Sequence, residues 1–383
     1  MSLFNDDIAK ATELRRTLHR YPELSGVEQR TAARLRDFLA ECSPDEIIEG
    51  IGGCGLAAIF AFELPGPTVL VRCELDALPI AEINDVDYRS TVDGVSHKCG
   101  HDGHMAIVAA LAPDLARRPA GRGRVVLLFQ PAEEIGAGAA AVLNDEKFIR
   151  IGIDYAIALH NLPGVKQDTI VCRTGSFSAA VKTAIIRLTG KTSHAAEPEL
   201  GLNPAMAIAE ILQQTRALER PAATENFTLV TPVHMSLGEK AHGISAGDGE
   251  LRFTLRAWDN SRLAAAEAAL KNIVGATAEA HSLQHSIEWS DHFAATNNNS
   301  DVVMLIKQAA KNNGLNYLEK TEAFRWGEDF GLFTERFRGA MFGLGAGEAT
   351  PPLHNAAYDF PDELIASGAA MFRSIIDQLL QIQ

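Results

Sequence analysis

The stretch "TVLVRCELDALP" (residues 68–79) runs from a short, nearly all-apolar segment straight into two carboxylates, Glu74 and Asp76. An apolar run without alternation, bounded by turn residues, suits a strand buried on both faces, as in a mostly parallel sheet covered by helices. Three more runs share this character: "RVVLLF" (124–129), "DYAIAL" (154–159) and "AMFGLG" (340–345). Helix-like spacing at 6–21 and 27–41, separated by "YPELSG", and at 102–118 and 301–313 supplies the covering layers, so the chain reads as α/β. Pro113 predicts a kink within 102–118.

From about residue 179 the pattern changes. The order is strand ("AVKTAIIRLTG"), helix (203–218), strand ("NFTLVTPVHM"), strand ("GELRFTLRAW"), helix (261–281), strand ("QHSIEWSD"). These strands alternate apolar and polar residues, as a sheet with one solvated face does. The order β-α-β-β-α-β is a ferredoxin-like unit. Because the all-apolar strand type returns only near residue 340, the unit reads as an insertion. The expected division is 1–178 with 292–383 as a mostly parallel catalytic domain, and 179–291 as an inserted lid. Linkers near 178 and 291 are the expected hinges of a lid motion.

Each apolar run delivers ionisable groups at its carboxyl end, the edge where open α/β sheets bind ligands. The first leads to Glu74 and Asp76, the second through "QPAEE" to Glu133 and Glu134, the third directly to His160. The fourth leads across a Gly- and Pro-rich loop to His354 in "PPLHNAAYDF". The octet "KCGHDGHM" (98–105) adds Cys99 and His101, with Gly100 and Gly103 allowing a tight backbone turn. Singly, each of these has an ordinary structural reading: a buried thiol is an inert small hydrophobe, a lone histidine a core or surface residue, a glutamate pair two solvated charges. Together Cys99, His101, Glu134, His160 and His354 form a thiolate, imidazole and carboxylate set suited to zinc, manganese or cobalt and poor for calcium or magnesium. Five ligands exceed one closed structural zinc and fit two metals sharing a thiolate. A nucleophilic Cys99 would need a histidine base, which His160 or His354 could supply, but not the surplus of carboxylates.

Composition limits the alternatives. The chain has 383 residues and a formal charge of −14, spread along its length rather than gathered in a tail. Nucleic acid and anionic membrane are therefore disfavoured as partners, since both need clustered Lys and Arg. Five scattered cysteines predict a reducing, cytoplasmic compartment rather than a disulfide framework. The opening "MSLFNDDIAKATELRR" shows no basic region followed by an apolar one, so no leader is expected, and no apolar stretch has the length of a bilayer span.

The chain resembles the M20 metallopeptidases, and within them the amidohydrolase branch of hippurate, auxin-conjugate and aminobenzoyl-glutamate hydrolases and N-acetyl-diaminopimelate deacetylases. The residues that carry the likeness are "LRRTLHRYPELSGVE" (14–28), "ELDALPIAE" (74–82), "KCGHDGHMA" (98–106), "FQPAEEIGAGA" (129–139), "GKTSHAAEP" (190–198), "GEDFGLF" (327–333) and "LHNAAYDFPDELIASG" (353–368). The resemblance implies a dinuclear hydrolase of N-acyl amino acids, with a dipeptidase or carboxypeptidase as the alternative of the same chemistry. A non-catalytic binding protein on this scaffold is the rival of another class, opposed by the presence of the base and all five ligand candidates. On this likeness Cys99 bridges two divalent metals, His101 and His160 serve one, and Glu134 and His354 the other. Glu133 is the general base, Asp76 orients a ligand, and His194, Arg256 and His242 contact substrate. Glu328 and Asp329 support the site. A homodimer through the inserted domain is implied as well. The chain departs from the family where Glu74 replaces the usual aspartate, and where "AHGISAGDGELRFTLR" carries His242 in place of asparagine and lacks a proline.

Overall fold

The computed structural model describes residues 5–117 and 120–382. The last residue of the helix expected over 102–118 and the first four of the leader reading lie outside them. Two compact units divide the chain. One runs to Phe177 and resumes over Thr296–Thr321 and from Asp329; the other comprises Ser178–Ala295 with Glu322–Glu328.

The first unit is built on an eight-stranded sheet. Its strands lie in the order Glu46–Ile51, Gly55–Ala61, Arg122–Gln130, Leu64–Glu74, Tyr155–Leu162, Arg338–Gly345, Thr169–Cys172, Asn316–Glu319. The middle four are the four apolar runs, and they pair in parallel. Antiparallel pairing is confined to the hairpin and its junction on one side and to the 338–345/169–172 contact on the other. From Val69 to Glu74 every residue is buried, because helices cover both faces and no face is left for polar alternation. On one face Val69, Val71 and Phe129 pack with Leu18, Met105, Ile306 and Ile375 from the helices Asn5–Arg20, His101–Ala109, Ser300–Asn312 and Leu364–Leu380. On the other, Phe148 meets Phe333 edge-on at 6.0 Å.

Pro113 breaks the expected helix rather than kinking it. One helix ends at Ala109 and a second, Ala112–Ala116, starts with Pro113 in its first turn. There its missing N–H is one of the groups a helix leaves unbonded anyway, and its ring meets no preceding turn.

The second unit is a four-stranded antiparallel sheet in the order Thr228–Leu237, Asp248–Ala257, Ala180–Thr189, Gln284–Phe293. With helices Ala205–Thr215 and Asn260–Ala280 this is the ferredoxin-like order 2-3-1-4. Alternation is visible along Asp248–Ala257, where Leu251, Phe253 and Leu255 are buried and pack with Ile211, Leu263 and Leu270. Asp259 caps the long helix by accepting the Arg262 N–H at 2.9 Å. Pro232 is tolerated because Thr228–Leu237 is an edge strand, and the register shifts beside it. Segment 322–328 joins this unit because Phe324 O accepts the Ala179 N–H at 2.9 Å and Gly327 lies against Val181 and Phe293.

Replacing the fully buried Phe253 by alanine removes the ring that packs the sheet to its helices. We expect a loss of about 3–5 kcal/mol, measured as a lowered urea midpoint of the second unit.

Candidate metal centre

Four parallel strands place their carboxyl ends on one edge, and the candidate ligands collect there. Glu74 ends Leu64–Glu74, His160 stands in Tyr155–Leu162, and Glu133 and Glu134 follow Arg122–Gln130 after Pro131. Cys99 immediately precedes the helix His101–Ala109, and Gly100 between them holds a left-handed φ of 92°. That reversal turns Cys99 and the first helical residue, His101, toward the same space. His354 also holds a positive φ, 63°, and so does Ala132, 53°, in the turn that presents the glutamates. Non-glycine residues in this conformation cost energy and gather where a site dictates the backbone.

Among the sets of potential ligand atoms that lie within 4.8 Å of one another, two share Cys99: Cys99 with His101 and His160, and Cys99 with Glu134 and His354. Cys99 Sγ is 3.5 Å from His160 Nε2. Glu134 is 3.8 Å from His101 Nε2 through one oxygen and 3.7 Å from His354 Nε2 through the other. Glu133 is 3.9 Å from His101 Nε2.

Hydrogen bonds set the imidazole tautomers. His101 Nδ1–H donates to the Asp76 carbonyl at 2.9 Å, and His160 Nδ1–H to the Asn161 carbonyl at 2.9 Å. His160 Nε2 therefore faces the cluster with its lone pair, and His101 Nε2 would do so once its proton is lost. His101 Nε2 is buried and has no hydrogen-bond partner among the described residues. Burial pushes the His160 pKa down to about 3, which keeps this ligand candidate neutral. Burial also lowers that of His101, but the Asp76 hydrogen bond and the Glu74 and Glu134 charges outweigh it and raise it to about 10. Burial, with Glu134 and Glu133 beside it, pushes the Cys99 thiol well up. This excess of negative charge around a thiol and an unpartnered ring nitrogen fits a bound cation, which would displace both protons.

Asp76 is buried, and its Oδ2 accepts the Glu134 N–H at 2.9 Å and the Ser25 hydroxyl at 2.7 Å. Asp329 accepts from Gln130 at 2.8 Å, from the Ala139 N–H at 2.8 Å and from Arg72 at 2.5 Å. It thereby anchors both ends of the glutamate turn. Glu328 is buried and belongs to the second unit.

Behind the candidate ligands, Glu74 is joined by Arg72 and His104, which sequence patterns did not single out. Arg72 pairs with Glu74, whose other oxygen bonds His104 Nδ1 at 2.7 Å. The His104 ring meets that of His160 edge-on at 4.9 Å. The signals were a lone charge inside an apolar strand and a second histidine one helical turn after His101. Glu74 thus supports an imidazole from behind.

His194, His242 and Arg256 all lie in the second unit. His194 is exposed and pairs with Ile244 in a two-residue ladder, which sets the 242–245 segment beside it. His242 is exposed in the adjoining turn. Arg256 is half-buried on Asp248–Ala257 and donates to the Arg325 carbonyl at 2.6 Å.

Residues 70–378 match the pattern of peptidase family M20/M25/M40. The chain belongs to that family. It is accordingly an M20-type hydrolase. The N-acetylcysteine deacetylase of Bacillus subtilis is 28% identical over 364 residues, 94% of each chain. The hippurate hydrolase of Campylobacter jejuni is 28% identical over 369 residues, 95% of this chain and 94% of that one. The solved structure of the B. subtilis YXEP protein, a dinuclear metal-binding peptidase of the M20 family, superposes with a TM-score of 0.84 at 26% identity, covering 99% of this chain and 100% of that one. In this M20 enzyme no helix among the described residues is long and apolar enough to cross a membrane.

Two outcomes test this geometry. A Cβ at Gly138 would land on the Pro131 carbonyl oxygen and on Gln130 Nε2. Gly138→Ala should therefore cost about 1–3 kcal/mol, seen as a lower thermal midpoint. Glu82, behind the ligand loop, is opposed by burial, but His19 and Lys98 hold it down from 4.5 to about 2. Its contribution to stability is complete above 4.5 and fades as pH falls toward 2. Urea midpoints should fall more steeply with acidification in the wild type than in Glu82→Gln.

Proposed function

We propose that the protein is a metal-dependent amidohydrolase that cleaves the amide bond of N-acyl amino acids, releasing a carboxylate and the free amino acid. The observation that carries this reading is that the two ligand sets share one atom, the Cys99 sulfur. Cys99 would serve two divalent ions, with His101 and His160 holding one and Glu134 and His354 the other. Manganese, zinc and cobalt suit this mixture of donors. When bound, such ions polarise a carbonyl and lower the pKa of a water.

The residues divide the remaining work. Glu133, at the rim of the ligand set, accepts the proton of the attacking water and returns it to the leaving nitrogen. Asp76 fixes the orientation of His101 through its carbonyl and of Glu134 through its carboxylate. His194, His242 and Arg256, carried on the second unit, recognise substrate. An imidazole can donate to the developing oxyanion, and a guanidinium can pair with the carboxylate of the amino-acid half. The deacetylases and hippurate hydrolase among the relatives support an acyl amino acid as the substrate class.

The second unit acts as lid and dimer contact. Its edge strand Thr228–Leu237 exposes Val233, Met235 and Leu237, an apolar rim that a second copy would cover by extending the sheet. All five cysteines are free, consistent with a cytoplasmic setting.

The test is amine release from a panel of N-acyl amino acids and dipeptides after metal removal and addition of manganese, zinc or cobalt. Glu133→Ala should retain metal and lose about 10²–10⁴-fold in kcat. Cys99→Ala should lose metal itself, measured by elemental analysis of the purified protein. Near-wild-type turnover by Glu133→Ala would overturn the assignment of the base.

A further inference from the structure

A second cluster of charge lies behind the ligand loop and is not used by the reaction. Helix Asn5–Arg20 turns Arg15 and His19, one turn apart, into the interior, where both are completely buried. His19 Nδ1 is 2.8 Å from Asp102 Oδ2, and His19 Nε2 is 2.9 Å from Glu82 Oε1. Both ring nitrogens thus face carboxylate oxygens. Each carboxylate already has a permanent cation: Arg15 Nε is 2.8 Å from Asp102, and Lys98 Nζ is 2.8 Å from Glu82. Glu82 also accepts the Ser90 N–H through its other oxygen at 2.8 Å. The carboxylates are therefore ionised, and two ionised acceptors need two N–H donors from the ring.

Charge balance leads to the same point. Asp102, Glu82, Asp359 and Asp362 are the anions of this lattice, with Arg15, Arg16 and Lys98 as its permanent cations. With the partly exposed Asp359, Asp362 and Arg16 counted in, a positive His19 makes the lattice neutral. The neighbouring ring of His97 is 6.5 Å away, and neither of its buried nitrogens has a hydrogen-bond partner among the described residues. Tyr88 meets the His19 ring edge-on at 5.5 Å. Burial opposes the His19 proton, but the bonds to Asp102 and Glu82 prevail and raise its pKa.

We propose that His19 is a permanently protonated imidazolium that locks the 97–102 loop from behind, so that Cys99 and His101 are held in position before any metal arrives. The lattice grips that loop on both sides of the two ligands, at Lys98 and at Asp102. His19 is a positioning residue and touches no reacting atom. The role in metal capture rests on the ligand assignment above; the charge state and the loop restraint do not.

The experiment uses the full chain, metal-free and then titrated with zinc or manganese. Nitrogen-detected NMR of the histidine rings at pH 7.5 should show His19 protonated at both nitrogens; one protonated nitrogen overturns the proposal. His19→Gln leaves one anion unbalanced. It should speed amide exchange over 97–102 in the metal-free protein, and weaken metal affinity in chelator competition by about 10–100-fold. The double variant His19→Gln/Glu82→Gln is neutral again and should recover part of both losses. Wild-type exchange over the loop in His19→Gln, or no recovery in the double variant, defeats the proposal. A wild type that binds no metal would sink the functional reading, while NMR and exchange would still decide the role of His19. Should His19→Gln not fold, the double variant and the wild-type NMR decide it.

Discussion

Asp76 touches every segment that bears a candidate ligand except the two most distant in the chain, and the site depends on that convergence. Its carbonyl fixes which nitrogen of His101 is free, and its carboxylate holds the Glu134 amide and the Ser25 hydroxyl. It can do so because it stands two residues beyond a strand buried to its last residue, where little backbone freedom remains. Removing its carboxylate would release the glutamate turn, while the backbone carbonyl would still fix the His101 tautomer. Around it the carboxylates of Glu74, Glu133 and Glu134 gather beside Cys99 and His101. Arg72 is engaged with Glu74 and Asp329, and the next cations are committed to the lattice around Asp102.

The same polypeptide therefore handles buried charge in two opposite ways. Behind the 97–102 loop each carboxylate is matched by a cation within hydrogen-bonding distance, so this region can be rigid without a ligand. In front of the loop the carboxylates face the Cys99 thiol and the His101 ring, whose protons a metal would replace.

Much of this was legible in the sequence. The central strands were readable because burial on both faces removes alternation, and the ferredoxin-like order because one solvated face restores it. The edge to which polar groups would be delivered followed from those strands. Other features are tertiary and left little local trace. "EIIEGI" mixes charge with aliphatic residues, so the hairpin strand Glu46–Ile51 has no clear periodic pattern. Whether Pro113 kinks a helix or starts one is decided by the space around it. The attachment of 322–328 to the second unit depends on a backbone bond between Ala179 and Phe324, 145 positions later in the chain by their numbers. His104 stood in the same octet as two ligand candidates, and residue type could not separate a ligand from its support.

The strand Arg338–Gly345 has a further consequence through its position in the sheet. It lies between Tyr155–Leu162 and Thr169–Cys172, strands made long before it, and is followed by His354. As the chain leaves the ribosome, that place in the sheet stays empty until the whole of 178–295 has emerged. The second unit has all its strands available by then, whereas the first can close only by pairings across a large sequence separation, which form slowly. Synthesis thus imposes an order of assembly: the inserted unit can mature first, and the first unit, with its last ligand candidate, is completed only after His354 has emerged.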